Sequence, residues 1–165
     1  MLSLTRKADY ALVAMAELAR QAPQTLSARR LADAVHVPLP VLTNVLNQLL
    51  HHGLVVSLRG SQGGYRLSRE PGQISLADVI ESIDGPSRLA QCCSEADGAS
   101  VARDAADHAC NIEHSCRIKT PVQRVHQSLR QFLSGIPLSQ IAFEAPVAVG
   151  LDGKPAPHSA AAGAR

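Results

Sequence analysis

Outside one stretch of 25 residues this chain of 165 has no cysteine: Cys92, Cys93, Cys110 and Cys116 stand together, and the other 140 positions hold none. A segment that gathers every thiol of a chain reads as a metal or redox site. Also missing is any uninterrupted apolar run of about 18 residues, which excludes a membrane-spanning helix. The first twenty residues carry Arg6, Lys7, Asp9 and Glu17 where a signal peptide needs an apolar stretch. A cytoplasmic location is therefore expected. In that reducing compartment a disulfide framework is disfavoured, which directs the thiols to metal ligation or a reversible redox role.

Two further absences bear on function. The glycine-rich stretch at 60–64 has neither the lysine nor the strand-to-helix context of a phosphate-binding loop. No nucleophile–base arrangement can be read. The His51-His52 pair borders a helix end, where an interaction with the helix dipole suffices. Neither an enzyme nor a small-molecule substrate is expected.

What is present is enough apolar content, 45%, for one core with a smaller extension. The net charge of +2 divides unevenly, with residues 1–70 at +4 and residues 71–165 at −2. The first half is the part that would meet an anion.

Residues 4–20 read as a helix with Leu12, Val13, Ala16 and Ala19 at inward spacing. Ser27 is placed to cap a second helix carrying Leu31, Ala32 and Val35 inward, and Pro38 or Pro40 suits the first turn of a third that stops at Gly53. Three short helices with tight turns fit a helix-turn-helix core. In the third, Val41, Leu42, Val45, Leu46, Leu49 and Leu50 form an apolar stripe, leaving Thr43, Asn44, Asn47, Gln48 and His51 opposite. Amides and hydroxyls pair with base edges in a major groove, whereas an ordinary solvated face carries Lys and Glu.

Past Gly53 the pattern changes to period two. Leu54-Val55-Val56 and Tyr65-Arg66-Leu67 make two strands around Arg59-Gly60-Ser61-Gln62-Gly63-Gly64, a hairpin wing whose glycines let the tip approach a surface and whose Arg59 can meet a minor groove or a phosphate. Arg66 and Arg69 offer further charge to a nucleic-acid backbone, and Arg29 lies on the second helix.

Ser75 opens a fourth helix through a capping box with Asp78, burying Leu76, Val79, Ile80 and Ile83 until Asp84-Gly85-Pro86 stops it. Residues 87–119, with all four cysteines and several acids, lack periodicity and need something to order them; a bound metal would do so. Thr120-Pro121-Val122-Gln123 reads as a second capping box, and Gly135 with Pro137 closes the helix it opens. Val122, Val125, Leu129, Phe132 and Ile136 form a seam that packs on a symmetric copy or on the chain's own core. After residue 147 periodicity vanishes, so 147–165 is expected to be a disordered tail.

The order of these parts, Leu4-Thr5 with Asp9-Tyr10-Ala11, a wing reading Arg59-Gly60 and Gly63-Gly64-Tyr65, a thiol-bearing loop and a late helix, resembles the Rrf2 family of bacterial regulators, with its IscR- and NsrR-like members. The stretch Cys110 to Cys116, preceded by Gly85-Pro86 and Cys92, looks most like the regulators of SUF iron-sulfur assembly genes. The resemblance implies a mainly α fold with a small β-hairpin wing: a winged helix-turn-helix over residues 1–86, a cluster-binding loop over 87–119, and a dimerisation helix with a short terminal helix over 120–146. It implies an iron-sulfur cluster, 2Fe-2S or 4Fe-4S, on Cys92, Cys110 and Cys116, matching the preference of iron-sulfur clusters for soft thiolates.

A four-cysteine zinc site is the rival, against which stand the adjacent Cys92 and Cys93 and the absent two-residue spacing of zinc knuckles. IscR-like members place a histidine three residues after the last cysteine, where this chain has Lys119. The candidates for a fourth ligand are Asp9, His114 and Cys93; Asp9 is favoured, matching an aspartate that NsrR-like members contribute from the partner subunit. Pro38, Pro40 and Thr43 depart from the IscR recognition helix, so the scaffold carries over and the base code does not. The expected function is a homodimeric, cluster-sensing repressor of iron-sulfur assembly genes, with double-stranded operator DNA as partner. The alternatives are a cluster-free thiol-switch or nitric-oxide-responsive regulator of the same fold, and a zinc or iron-sulfur carrier or electron-transfer protein.

Overall fold

The structure, a computed structural model, describes residues 4–60, 63–90, 93 and 115–143. It is mainly helical with one two-stranded antiparallel hairpin, as expected.

Helix α1 (Arg6–Arg20) is opened by Thr5, whose hydroxyl oxygen accepts from the Ala8 amide at 3.2 Å. Its buried face is Ala8, Ala11, Ala14, Met15, Leu18 and Ala19. Of the inward residues expected from spacing only Ala19 is buried; Leu12 and Ala16 are half-buried, and Val13 is 47% exposed. Packing chose the face. α1 touches four other helices, and alanines let their backbones approach where a branched valine would hold them apart.

Helix α2 (Ala28–Val35) starts at Ser27, which accepts from the Arg30 amide at 3.3 Å, and buries Leu31 and Ala32 as expected. It turns into α3 (Leu39–His51) through His36, in the left-handed conformation at φ 55°. Pro38 and Pro40 begin α3, and Gly53, at φ 68°, follows its end. Leu42, Val45, Leu46 and Leu49 are buried in the common core, while Val41 is half-buried and Leu50 exposed at its edge.

Strands β1 (Val55–Leu58) and β2 (Gly64–Leu67) pair from Val55 with Leu67 to Leu58 with Gly64. The first strand starts one residue later than expected; the Leu54 amide donates back to the Leu49 carbonyl of α3 at 2.9 Å, while its carbonyl accepts from Ser68 at 3.1 Å. Leu26 adds a single rung to β2 from outside the hairpin: its amide donates to the Tyr65 carbonyl at 3.0 Å and the Tyr65 amide donates to the Leu26 carbonyl at 2.7 Å. Gly64 is required for that rung, since a Cβ there would run into the Leu26 backbone.

After a 3-10 turn at Pro71–Gln73, α4 (Leu76–Asp84) carries the expected capping box: Ser75 Oγ accepts from the Asp78 amide at 3.1 Å and Asp78 Oδ2 from the Ser75 amide at 2.9 Å. Val79 and Ile80 are buried, and Leu76 and Ile83 half-buried. Helix α5 (Lys119–Ser134) corrects the second capping box. Ile118 takes the cap position with no side-chain bond, because the helix begins one residue before Thr120 and draws that hydroxyl into its first turn. Beyond Gly135 the chain pairs with the entry of α4, Leu76 N donating to the Ile136 carbonyl at 2.8 Å and Leu138 N to the Ile74 carbonyl at 2.7 Å. Helix α6 (Leu138–Ala142) then packs on α1, where Arg20 Nε donates to the Ala142 carbonyl at 2.7 Å.

Two substitutions test this core. Leu18→Ala, at a fully buried position, should cost about 2–5 kcal/mol, and Val13→Ala less than about 0.5 kcal/mol, by urea denaturation of the purified protein; equal effects would restore the other face of α1. Gly64→Ala should lower the melting temperature by several degrees through loss of the Leu26–Tyr65 rung, whereas a melt matching the parent would show that the wing adapts.

Candidate nucleic-acid interface and cysteine segment

α3 presents its polar residues unequally. Asn44 and Asn47 are exposed. Thr43 is half-buried, with its hydroxyl donating to the Leu39 carbonyl at 2.8 Å, so part of its hydrogen-bonding capacity is spent within the helix. Gln48 is half-buried, and its Oε1 is buried with no hydrogen-bond partner among the described residues. Of the polar set on this face, the two asparagines are therefore the amides best placed for an external partner. Arg29, on α2, is exposed.

In the wing, Arg59 is exposed, and Gly60, at φ 122°, has open space beside it. The expectation that three glycines free the tip is corrected at the other two. A Cβ on Gly63 would collide with the Leu58 carbonyl, and one on Gly64 with Leu26, so these glycines serve the wing's own packing. Tyr65 is half-buried against the core. Arg69 pairs with Asp78 at 3.5 Å and is not a free charge. Arg29, Arg30, Arg59 and Arg66 are exposed with no ion pair or side-chain hydrogen bond among the described residues. Arg30 is not singled out by sequence spacing; only its place beside the wing distinguishes it from any surface arginine.

Of the candidate ligands, Cys92, Cys110 and His114 lie outside the described residues. Cys93 is 5% exposed and Cys116 half-buried, both as free thiols. Asp9 is exposed in the first turn of α1. Among the described residues no three metal-ligating side chains gather, so a site with three or more ligands has to recruit beyond this set.

Both ends of the cysteine segment are tied to α4. The segment leaves α4 at Gly85, next to Asp84, whose carboxylate accepts the Thr5 hydroxyl at 2.6 Å and so joins the start of α1. Asp9 is in the turn above, its amide donating to the Thr5 carbonyl at 3.0 Å. The segment returns as α5, which packs on α4 and whose Arg130 Nε lies 3.1 Å from Glu81 Oε1.

On α5, Val125 is 61% exposed, and Val122, Leu129 and Phe132 are half-buried. Ile136 is corrected: it is 5% exposed, turned into the chain's own fold by the backbone pairing beyond Gly135, and cannot line an outer seam. The stripe instead extends backward. Ile118, 65% exposed, lines an apolar groove of about 410 Å³ with Leu89, Pro121, Val122 and Val125. The spacing of four from Ile118 to Val122 carried that signal; it was hidden by starting the helix at Thr120.

No helix among the described residues is long and apolar enough to cross a membrane. The family model for Rrf2, described as an iron-dependent transcriptional regulator, matches residues 4–144. An rrf2-like HTH-type transcriptional regulator of Rhodobacter capsulatus is 32% identical over 142 residues, 84% of this chain and 91% of that protein. The solved structure of IscR from T. potens is 25% identical, with a TM-score of 0.62 over 88% of this chain and 89% of that one. That of CymR, the global cysteine regulator of B. subtilis, gives 0.64 at 24% identity, over 88% of this chain and all of that one. With a helix-turn-helix, a wing and a family match that spans all the described residues, the chain belongs to the Rrf2 family of DNA-binding transcription regulators and is not an enzyme.

Proposed function

We propose that this regulator works as a homodimer in the cytoplasm, repressing iron-sulfur assembly genes, and that a cluster on Cys92, Cys110 and Cys116 reports cluster supply. The observation that carries the reading is the place of Cys116: a half-buried, unpaired thiol three residues before α5, the helix that carries the exposed apolar stripe and packs on α4. Thiolates are the donors that iron-sulfur clusters require, and Cys116 is neither sealed in the core nor committed to a disulfide. Cys93, by contrast, is sealed in, which weighs against it as a ligand.

Asp9 remains the favoured fourth ligand, supported by its exposure and by its place near the corner where the cysteine segment departs. His114 stays the alternative. When bound, a cluster supplies multiple iron–sulfur bonds that order the loop and an oxidisable group that makes this order conditional. The protein's own part is to hold the thiols beside the start of α5 and to present Asn44, Asn47 and Arg59 to DNA. The assignment to SUF genes rests on the resemblance of the Cys110-to-Cys116 stretch. A symmetric copy seated on Ile118, Val122, Val125, Leu129 and Phe132 would make the dimer, and two recognition helices at fixed spacing read a palindrome.

A cluster-free thiol switch needs Cys92 or Cys93 to reach Cys110 or Cys116; burial of Cys93 removes one of those partners. Anaerobically purified protein should show visible absorbance with stoichiometric iron and sulfide, both lost in Cys110→Ala and Cys116→Ala. Operator affinity should change on cluster removal, and an affinity that stays the same would end the sensing reading. Protein lacking iron and sulfide yet forming a reversible disulfide would support the thiol switch instead.

A further inference from the structure

Asp84 is the last residue of α4, where the negative end of the helix dipole disfavours a carboxylate, and the last turn of α4 holds no basic residue to offset it. What the side chain serves is the start of α1. Thr5 Oγ1 donates to Asp84 Oδ1 at 2.6 Å, the length of a charge-assisted bond, and the Thr5 amide donates to Oδ2 at a longer 3.4 Å.

In a capping box the residue three places into a helix returns its side chain to the cap amide, as Asp78 does for Ser75 in α4. At that place α1 has Ala8, which is fully buried and where an acid would bury a charge. The carboxylate comes instead from another helix, 79 residues further on. Helix α1 therefore begins in a capping box divided between two helices.

We propose that Asp84 is a positioning residue for the cluster: by holding the first turn of α1 on the end of α4, it sets Asp9 relative to the segment that carries the thiols. The inference rests on the reading of Asp9 as the fourth ligand. Two placements support it. Asp9 lies one turn past Thr5, its amide donating to the Thr5 carbonyl at 3.0 Å, so whatever fixes Thr5 fixes the start of the turn that carries Asp9. The cysteine segment departs at the residue after Asp84, Gly85, whose φ of 76° and amide bond to the Glu81 carbonyl at 3.1 Å end α4 there. Thr5 and Asp84 are both exposed, and hydrogen bonds shared with solvent contribute modestly to stability. What this tie fixes is position.

The test is the rate at which anaerobically purified protein loses its visible absorbance to an iron chelator. Asp9→Ala should lose it faster than the parent, and Asp84→Ala should lose it about tenfold faster, the lower end of what an outer partner of a metal ligand carries. Asp84→Asn, which keeps the shape and one acceptor oxygen, should show a smaller change in the same direction. The double variant Asp9→Ala/Asp84→Ala should be no faster than Asp9→Ala, because the two residues act through one ligand. Ser75→Ala, which breaks the capping box at the other end of α4, is the control for a loosened fold and should keep the parent rate. Hydrogen exchange of the cluster-free protein reads the tie itself: the Ala8 and Asp9 amides should exchange faster in Asp84→Ala than in the parent. Thermal melts confirm that each variant is folded.

Parent rates in both Asp84 variants, with Asp9→Ala fast, would overturn the positioning role and leave the fourth ligand in place. Additive effects in the double variant, an equal loss in Ser75→Ala, or unchanged exchange at Ala8 and Asp9 would overturn it as well. A parent rate in Asp9→Ala, or a parent protein without iron and sulfide, would remove the reading beneath the proposal and the proposal with it.

Discussion

Close packing around α1 is the constraint on which the other elements depend. Its buried face is alanine at positions 8, 11, 14 and 19, with Met15 and Leu18 filling the space between. Interaxial distances between packed helices run at about 8–10 Å, set by the side chains at the contact, and small ones allow the lower end. α1 can therefore touch α2, α3, α4 and α6 and also reach β2. The recognition helix, the wing and the C-terminal helix all take their positions from one element. Arg20, reaching the Ala142 carbonyl at 2.7 Å, extends that control to the last described helix.

This explains which parts of the fold were legible in the sequence. Features set by neighbours along the chain could be read directly: the Ser27 cap, the Ser75–Asp78 capping box, Gly53 after α3, and the hairpin. The face of α1 was not of that kind. Two sets of residues met the helical spacing, and what decided between them was how many partners the helix has, which spacing does not encode. Ile136 failed for a related reason. It continues the stripe numerically, yet Gly135 ends the helix before it and the backbone pairs with residues sixty positions earlier.

The surface proposed to face DNA was legible as a type of chemistry and less so residue by residue. An uncharged amide face and a glycine-rich hairpin after it identify a winged helix-turn-helix. Which groups remain available depends on bonds made within the fold: Thr43 turns back on Leu39, Arg69 is held by Asp78, and two of the three wing glycines are consumed by backbone packing. Charge counting over the first seventy residues weights Arg69 and Arg30 equally, although Arg69 is paired with Asp78 and Arg30 has no ion pair among the described residues.

The cysteine segment and the backbone pairing with α4 meet α5 at opposite ends. At its C-terminal end, Gly135 to Leu138 is fixed by two backbone hydrogen bonds to Ile74 and Leu76, with Leu138 fully buried. At the other end Ile118 is 65% exposed and offers no side-chain cap. The Glu81–Arg130 pair holds the C-terminal half, but both side chains keep more than a quarter of their exposure, so solvent screening leaves it worth about 1 kcal/mol or less. The helix is 16 residues or about 24 Å long, so its backbone tie to the entry of α4 and Cys116 stand at opposite ends of it. The end beside Cys116 carries Ile118 and Val125, which are exposed, and Val122, which is half-buried, around one apolar groove. On the proposed sensing reading, order gained or lost near Cys116 would act first at the start of α5, outside the buried cluster that α1 organises.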